Sequence, residues 1–246
     1  MKRSRARLIP VITMDRERRL VKTVGFGERT YIGDPFNVVR LFNEKEVDEI
    51  CVLDIDATVD GRAPDLGFIA ELASECFMPL SYGGGLAAMG PCEALAAAGV
   101  EKFVIGAAGA DRPFVASLAA AFGSQAVVGC VDYRAGGVFT RSGRAPLGLE
   151  PAAHAAALVE AGAGEIILQS IDRDGGREGM DLERIAAVAS ALAVPLVALG
   201  GAGEVSHLMD ALGAGASAAA SGSAFTFIGR LRAVLVTYPH PGMLAA

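Results

Sequence analysis

The stretch Ser-Ile-Asp-Arg-Asp-Gly-Gly-Arg (170–177) repeats, in modified form, the stretch Asp-Ile-Asp-Ala-Thr-Val-Asp-Gly-Arg (54–62) from the first half of the chain. A second pair follows at a similar offset, with Tyr-Gly-Gly-Gly-Leu (82–86) matched by Leu-Gly-Gly-Ala-Gly (199–203). Each copy lies where an apolar run ends, so we interpret the copies as strand ends in two related halves. A duplicated half with glycine-rich strand ends predicts an α/β protein, a (β/α)8 barrel that binds phosphate at two related places.

Eight short apolar runs at fairly even spacing predict the eight strands of this barrel. Most are continuous rather than alternating, as expected for strands that are covered on both faces. The runs lie near residues 8–14, 50–55, 78–82, 102–106, 126–132, 165–170, 195–199 and 217–221. Between them we predict helices, including one over about 36–46, one that begins at Asp111 and one over about 182–192. We expect one barrel domain over 1–246, because about 250 residues is typical of the fold.

The composition excludes several classes of partner. The 246 residues carry a net charge of -6, so there is no broad basic field to attract nucleic acid or an anionic membrane. No signal-peptide pattern opens the chain, and no apolar run reaches the roughly 18 residues of a membrane span. The four cysteines lack C-x-x-C spacing, and Cys51 and Cys130 fit core positions. We therefore expect a cytoplasmic protein.

Two long connections follow strands, and both are predicted to lie on the C-terminal face, where barrel enzymes build their sites. The first covers residues 16–33 and contains Lys22, and the second covers residues 133–148 and is rich in glycine. Long glycine-rich loops at this face are predicted to act as mobile lids.

Glycine-rich strand ends predict phosphate binding. Gly83-Gly84-Gly85 follows the third strand, Gly200-Gly201-Ala202-Gly203 follows the seventh, and Ser221-Gly222-Ser223 ends the eighth. Glycine loops let the backbone approach a ligand, and barrels commonly bind phosphate after strands seven and eight. Tight turns between strand and helix are the alternative explanation.

Carboxylates at strand ends are the second sign of a site. They are Asp54, Asp56, Asp132, Asp172 and Asp174. Such a group predicts acid–base chemistry or contacts to ligand hydroxyls, and salt links to loop cations are the alternative. His154 and His207 fall in predicted helices and His240 in the C-terminal tail, so surface positions are expected for them. The sequence shows no metal-ligand cluster, and no cofactor is expected.

Several motifs resemble the HisF family, the cyclase subunit of imidazole glycerol phosphate synthase. The most specific is Ser-Ile-Asp-Arg-Asp-Gly (170–175). The others include Arg-Leu-Ile-Pro (7–10), Leu-Val-Lys (20–22), Gly-Asp-Pro (33–35), Val-Asp-Glu (47–49), Tyr-Gly-Gly-Gly (82–85) and Gly-Gly-Ala-Gly (200–203). The resemblance runs from about residue 5 to 235. It implies a barrel that docks a HisH-like glutaminase beneath it and receives ammonia through its core.

The resemblance also implies an ammonia gate at the bottom of the barrel. The family places a ring of an arginine, two glutamates and a lysine there. The matching residues here keep all four types and are Arg7, Glu49, Lys102 and Glu165. A structural layer of ion pairs is the alternative, because paired buried charges need no function.

At the top of the barrel the resemblance is incomplete. The family uses two catalytic aspartates, at the ends of strands one and five. The second is Asp132, but Thr13 occupies the first position. A threonine hydroxyl cannot exchange a proton near neutral pH as a carboxylate can. Asp15 follows two residues later and could replace the missing acid if its loop folded inward.

Of the two phosphate sites that the resemblance implies, one keeps all the family's ligands and the other lacks two of them. The predicted ligand-binding residues are Lys22, Gly84, Gly85, Asp174, Gly201, Gly203, Gly222 and Ser223. The site after strands seven and eight is complete, whereas Gly106-Ala107 stands where the family has an Asn-Thr pair after strand four. Each lost hydrogen bond to a charged group costs about 1.5–3 kcal/mol, so this second site should hold phosphate weakly.

The four gate residues are kept, whereas the residues at the top of the barrel differ from those of the family. This combination favours a protein that still delivers ammonia but uses it in a different reaction. One HisF-like branch fits, because its members work with a HisH-like glutaminase and an N-sugar amidotransferase to form an acetamidino sugar in surface-polysaccharide pathways. Residues 42–49 and 74–80 resemble that branch. The alternatives are an ordinary cyclase with Asp15 as the second acid, a non-catalytic scaffold for a glutaminase, and a HisA-like isomerase. A phosphorylated small-molecule substrate is expected as a further partner, and the sequence leaves open whether it binds this subunit directly.

Overall fold

The computed structural model describes residues 6–229 and 231–239, which form a closed barrel of eight parallel strands. The strands are β1 (Arg7–Met14), β2 (Ile50–Asp54), β3 (Leu80–Gly83), β4 (Lys102–Ile105), β5 (Val127–Arg134), β6 (Glu165–Ser170), β7 (Leu196–Leu199) and β8 (Ala218–Ser221). Each strand pairs in parallel with the next along the chain, and β8 pairs with β1 to close the barrel. The predicted fold class and all eight predicted strands are confirmed.

Helices cover the outside of the barrel. They are α1 (Pro35–Glu44), α2 (Ala57–Asp60), α3 (Leu66–Ser74), α4 (Met89–Ala97), α5 (Arg112–Phe122), α6 (Pro151–Glu160), α7 (Leu182–Ala191) and α8 (Val205–Gly213). The predicted helix starts are confirmed for Asp34, Asp111 and Asp181, whose carboxylates accept hydrogen bonds from the amide three residues later at 3.1, 3.1 and 3.2 Å. In the part of the chain that the structure describes, no helix is long and apolar enough to cross a membrane.

Because side chains alternate between the two faces of each strand, the apolar residues form two clusters, one outside the barrel and one inside it. On β1, Leu8 and Ile12 pack outward against the helices, whereas Ile9 and Val11 point into the barrel. The inner cluster contains Ile9, Val11, Cys51, Val104, Val128, Ile167, Val197, Leu199, Ala218 and Ala220. The same alternation places Arg7 below these residues and Thr13 above them. One end of β1 therefore reaches the bottom of the barrel axis and the other end reaches its mouth.

Both long connections form β-hairpins at the mouth of the barrel. The first hairpin pairs Leu20–Thr23 with Arg29–Gly33 in antiparallel fashion. The second extends β5 through Gly137–Thr140, which then pairs with Ala145–Pro146. Their predicted action as lids stays a prediction. A third small hairpin, Phe227–Ile228 with Ala233–Val234, follows β8.

The repeated glycine motifs serve the same steric purpose in both halves. Gly84 and Gly200 have φ angles of +122° and +99°. A Cβ at either glycine would lie 2.5 Å from a backbone carbonyl oxygen, that of Asp54 for Gly84 and that of Ser170 for Gly200. Asp54 and Ser170 are matching positions of the sequence repeat. The internal duplication itself stays a prediction from the sequence.

We predict that Gly84→Ala destabilises the barrel by about 2–4 kcal/mol, because the new Cβ meets a carbonyl and the backbone angle is unfavourable for alanine. Gly90→Ala is the matched control, since Gly90 lies in helix α4 with open space around it. The control should leave stability within about 1 kcal/mol of the wild type, in the stabilising direction. Urea unfolding measures both, and equal stabilities of the two variants would contradict the prediction.

Candidate active site

A cavity of about 160 Å³ opens at the C-terminal ends of the barrel strands. Its floor includes Thr13, Leu53, Cys130, Asp132 and Gln169, and residues of both hairpins form its walls. A smaller cavity of about 30 Å³ lies toward β7 and β8, and five residues line both cavities: Thr13, Thr23, Leu53, Gln169 and Asp174. The mouth therefore holds two connected compartments.

Asp132 is the acid–base candidate of the larger compartment. Burial raises the pKa of its carboxyl group to about 6. A hydrogen bond from the Cys130 thiol, with Sγ 3.4 Å from Oδ1, opposes this rise, and the nearby carboxylate of Asp174 adds to it. A carboxyl group that titrates near pH 6 can accept or release a proton close to neutral pH. Asp132 is thus suited to general base or acid chemistry.

Thr13 lines both compartments, at the position where the family resemblance implies an aspartate. Its hydroxyl donates a hydrogen bond to the carbonyl of Val21 in the first hairpin. The hydroxyl thus anchors the hairpin, and it carries no group that titrates near neutral pH.

Asp15, the predicted replacement acid, faces neither compartment. Its buried carboxylate accepts bonds from Arg19 Nε and Nη2 at 2.9 and 2.7 Å, and from the amides of Glu17 and Arg19 at 3.0 Å. Burial alone would raise the pKa of this carboxyl, but the bonds from Arg19 and the two amides outweigh burial and lower it. Asp15 therefore stabilises the loop after β1 and is not placed to act on a ligand in the cavity.

The smaller compartment has the composition of an anion site. Its walls include Gly200, Gly201, Ser221, Gly222 and Ser223. The Ser221 hydroxyl shapes this turn, because it accepts hydrogen bonds from the amides of Ser223 at 3.1 Å and Ala224 at 3.0 Å. Glycine and serine loops of this kind bring backbone donors close to an anion.

Lys22 supplies a positive charge to the same compartment. Its buried ammonium group donates a hydrogen bond to the Val11 carbonyl at 2.6 Å. A Cβ at Gly222 would lie only 2.6 Å from Nζ, so the glycine makes room for the lysine. Burial lowers the pKa of Lys22 to about 8, and Asp174 opposes that change. The ammonium group therefore stays mostly charged at neutral pH and faces the predicted phosphate position.

Of two other predicted ligand-binding residues, Asp174 lines the compartments and Gly203 does not. Asp174 lines both compartments, accepts a hydrogen bond from Thr23 Oγ1 at 2.7 Å, and has its pKa raised by burial. Gly203 lies outside the lining of the compartments, and its amide donates to His207 Nδ1 at 3.2 Å. A Cβ on Gly203 would collide with Arg177, so packing explains this glycine.

The predicted second phosphate position lies on the wall of the larger compartment. Gly84, Gly85, Gly106 and Ala107 all line it. The Gly85 amide donates a long hydrogen bond of 3.4 Å to Thr58 Oγ1. This wall offers backbone groups, and Gly106 and Ala107 add no polar side chain to them.

Three of the five strand-end carboxylates contact arginines or loop amides, and one of them, Asp54, also lines the larger compartment. Asp54 pairs with Arg62 at 3.2 Å, and Asp56 binds both Nη atoms of Arg29 at 2.6 and 2.7 Å. The Arg29 guanidinium is the main reason that the pKa of Asp56 lies far below its ordinary value. Asp172 is exposed and accepts a bond from an amide of the second hairpin. These contacts agree with the alternative explanation of salt links and loop contacts, and a role for the three in ligand binding stays a prediction.

The four predicted gate residues form one ring at the bottom of the barrel. Lys102 Nζ lies 2.9 Å from Glu49 and 2.8 Å from Glu165, and Arg7 hydrogen-bonds to the same two carboxylates. Each cation thus contacts both anions, and charges alternate around the ring. Both glutamates are buried.

The barrel interior lies between this ring and the mouth. A small cavity of about 10 Å³ lies directly above Glu49 and Glu165, with walls of Ile9, Val128 and Ala220 among others. That volume is enough for about one water-sized molecule. Leu53 and Cys130 pack above the inner cluster and also form the floor of the larger compartment. The axis is therefore apolar between two polar ends.

Several expectations for histidine and cysteine need revision. His154 is a buried residue of helix α6, not a surface residue, and its pKa is lowered mainly by burial. His207 is half-buried, and His240 lies outside the described residues. Cys51 is a core residue as predicted, whereas Cys130 is partly open to the cavity. Among the described residues, no group of three metal-binding side chains comes together.

Sequence reasoning missed several cavity residues. Phe26 and Arg29 come from the first hairpin, and Arg141 and Arg144 come from the second. The available signal was their position in the two long connections at the C-terminal face. Nothing in their spacing distinguished them from exposed loop residues.

Comparisons with known proteins agree with this geometry. The family described as "Histidine biosynthesis protein" matches residues 7–231. The chain is 46% identical over 247 residues to a Pseudomonas aeruginosa protein provisionally named imidazole glycerol phosphate synthase subunit hisF2, covering 98% of each chain. It is 41% identical to a Leptospira interrogans protein provisionally named as subunit HisF, over 95% of each chain. A Vibrio vulnificus relative provisionally named subunit hisF3 is 40% identical over 96% of this chain and 94% of its own.

We predict that Asp132→Asn gains stability relative to the wild type as the pH rises. The pKa of the aspartate is ordinarily about 3.8 and rises to about 6 in the folded protein, so the native state binds the proton more tightly. Its contribution to stability is therefore complete below about pH 4 and is lost as the pH rises through 6. Between pH 4 and 7.5 the relative gain should reach up to about 3 kcal/mol. Urea unfolding at both pH values measures it, and a difference that does not change with pH would contradict the prediction.

Proposed function

The chain belongs to the histidine biosynthesis protein family and is HisF-like, and from this premise we propose that it is the ammonia-accepting subunit of a glutamine-dependent synthase. A HisH-like glutaminase docks below the barrel and releases ammonia at the charged ring. The ammonia passes along the barrel axis to a phosphorylated substrate held at the mouth. The observation that carries this proposal is the alignment of ring, apolar axis and cavity in one barrel.

The physical properties of the axis support this route. Neutral ammonia is small and enters an apolar space at modest cost, whereas ammonium would lose strong hydration there. Buried ion pairs contribute little net stability compared with apolar packing, so four charges at this position are a poor structural choice. A role as a gate explains why this position holds four charged residues and not apolar ones. They are Arg7, Glu49, Lys102 and Glu165.

We propose amidation of a sugar as the reaction that consumes the ammonia. In the larger compartment burial raises the pKa of Asp132 to about 6, and Thr13 stands where a second acid would be needed for cyclisation. The resemblance to the acetamidino-sugar branch supports a surface-polysaccharide sugar as acceptor, with an N-sugar amidotransferase as a further partner. Lys22 and Ser223 hold the phosphate of the substrate in the smaller compartment.

The cyclase reaction of imidazole glycerol phosphate synthase is the second candidate. The names of the relatives support it, as does the presence of Asp132 at the end of β5. In this case Asp132 acts without a carboxylate at the end of β1, because Thr13 stands there and Asp15 is bound in its loop. A scaffold without chemistry is less well supported, since it needs no titrating group in a cavity. An isomerase is less well supported because it needs no charged ring.

The two candidates predict different behaviour toward the cyclase substrate, the ribulosyl-formimino carboxamide ribonucleotide. We expect negligible ammonia-dependent turnover by the wild type and at least a tenfold higher rate for Thr13→Asp, because general acid–base catalysis contributes about 10²–10⁴-fold. Thr13→Asn is the control, since it has a similar shape and cannot exchange a proton. Robust turnover by the wild type would overturn the amidation proposal in favour of the cyclase.

Filling the axial cavity tests the ammonia route itself. Ala220→Leu adds three carbon atoms beside a cavity of about 10 Å³, and Ala220→Ser is the matched control. In the complex with the glutaminase, we expect the leucine variant to lose at least tenfold in glutamine-dependent product formation. Its rate with added ammonium should stay within twofold of the wild type, because ammonia then enters at the mouth, and this rate also reports correct folding. An equal loss of both rates, or of neither, would contradict the route.

A further inference from the structure

The carboxylate of Asp132 has a single hydrogen-bond partner in the part of the chain that the structure describes. The partner is the thiol of Cys130, whose Sγ lies 3.4 Å from Oδ1. Both residues belong to β5, and side chains two residues apart on a strand point to the same side, here the inside of the barrel. Cys130 packs on the inner apolar cluster and also lines the larger compartment. The thiol therefore contacts the carboxylate from below, where the apolar axis ends.

The other carboxylates at the strand ends near the mouth have more and stronger donors. Asp15 accepts four hydrogen bonds, two of them from a guanidinium group. Asp56 accepts bonds from two arginines, and Asp54 accepts bonds from two amides and one arginine. Several donors thus fix the orientation of each of these groups. The orientation of Asp132 depends on one thiol, which is a weak donor.

The strands on either side of β5 add no second donor to this carboxylate. Gln169 lies opposite Asp132 in the pairing of β5 with β6, and it lines both compartments. Its buried side-chain amide makes no hydrogen bond to any residue that the structure describes. From β4 and the residue after it, Val104 and Gly106 line the compartment, and neither has a polar side chain. Loss of the thiol would therefore leave the Asp132 carboxylate without a hydrogen bond to these elements.

The thiol keeps its proton over the pH range in which Asp132 titrates. Burial raises the pKa of Cys130 well above its ordinary value, and the negative charge of Asp132 adds to this rise. A hydrogen bond from the neutral thiol favours the ionised carboxylate, so it opposes the rise that burial causes in the pKa of Asp132. Cys130 therefore acts as a permanent donor and not as a second titrating group.

The other charged groups around the compartment act on Asp132 without a hydrogen bond to it. Those that line the larger compartment are Arg29, Asp54, Arg141, Arg144 and Asp174, and Lys22 lies in the smaller one. The charge of Asp174 raises the pKa of Asp132, but by less than burial does. Arg29 and Asp54 are each bound in a salt bridge to another residue. Among the described residues, the direct control of this carboxylate thus comes from Cys130.

We propose that Cys130 is a positioning residue for Asp132: its S–H group binds Oδ1 and thereby leaves Oδ2 for the substrate. A charged donor at this place would orient the carboxylate too, but it would also make the group a much weaker base. The weak thiol donor orients the carboxylate and preserves its capacity to accept a proton. The consequence for catalysis rests on the proposed function, whereas the hydrogen bond is a property of the isolated chain.

A ¹³C NMR titration of the Asp132 carboxyl group in the isolated, full-length protein tests this proposal. Cys130→Val keeps approximately the size of the thiol and removes the donor, and Cys130→Ala removes the donor as well. In both variants we expect the pKa of Asp132 to rise by about 0.5 or more, because the ionised form loses its hydrogen bond. Cys130→Ser retains a donor and should give a lower pKa than the valine variant. Cys51→Ala is the matched control, since Cys51 is a buried thiol of the same inner cluster on β2, and it should leave the pKa of Asp132 as in the wild type.

An unchanged or lower pKa of Asp132 in the two donor-free variants would overturn the proposal. An equal rise in Cys51→Ala would also overturn it, because the shift would then come from altered packing. In the complex with the glutaminase, the acid limb of the pH–rate profile of Cys130→Val should move to higher pH by the same amount. Absence of turnover by the wild-type complex would contradict the proposed function and would leave the NMR result unaffected.

Discussion

The rest of the molecule depends on one constraint: side chains alternate between the two faces of each strand, and the eight parallel strands close into a barrel. Every second side chain of each strand points at the axis, so residues far apart in sequence form successive layers inside the barrel. On β1, Arg7 is part of the bottom ring, Ile9 and Val11 belong to the apolar interior, and Thr13 reaches the mouth. A change in the register of one strand would break the ring, the axis and the site together.

The barrel interior has three layers, the charged ring at the bottom, the apolar layer above it and the mouth, and each is stabilised differently. Burying the charges of the bottom ring costs free energy, because they lose contact with water. This cost is offset because Arg7 and Lys102 each contact both glutamates, so each charge in the ring has a partner. The apolar layer excludes ions, and at the mouth the same apolar surroundings raise the pKa of Asp132 to about 6. Burial thus accounts both for the apolar axis and for the raised pKa of the carboxyl group at its end. The hairpins complete this arrangement, since they cover the mouth and bring Lys22 and the arginines to it.

Much of the fold was predictable from the sequence, and less of the site. Continuous apolar runs and the glycine pairs at Gly84 and Gly200 identified the strands, because tight steric contacts leave few alternatives to glycine. The ring was predictable only through resemblance, since four separated charges carry no local pattern. Asp15 could not be placed, because the bonds from Arg19 that turn it away from the cavity depend on the exact loop conformation. Arg141 and Arg144 looked like ordinary loop residues until the hairpin was folded over the mouth.

The most direct test of the account is the origin of the nitrogen in the product. The complex of this chain with the proposed glutaminase would be given glutamine labelled with ¹⁵N in the side-chain amide, together with excess unlabelled ammonium. The product would then be analysed by mass spectrometry. If ammonia passes along the barrel axis, the product nitrogen keeps the label despite the unlabelled pool. Product nitrogen with the isotopic composition of the bulk ammonium would contradict the account.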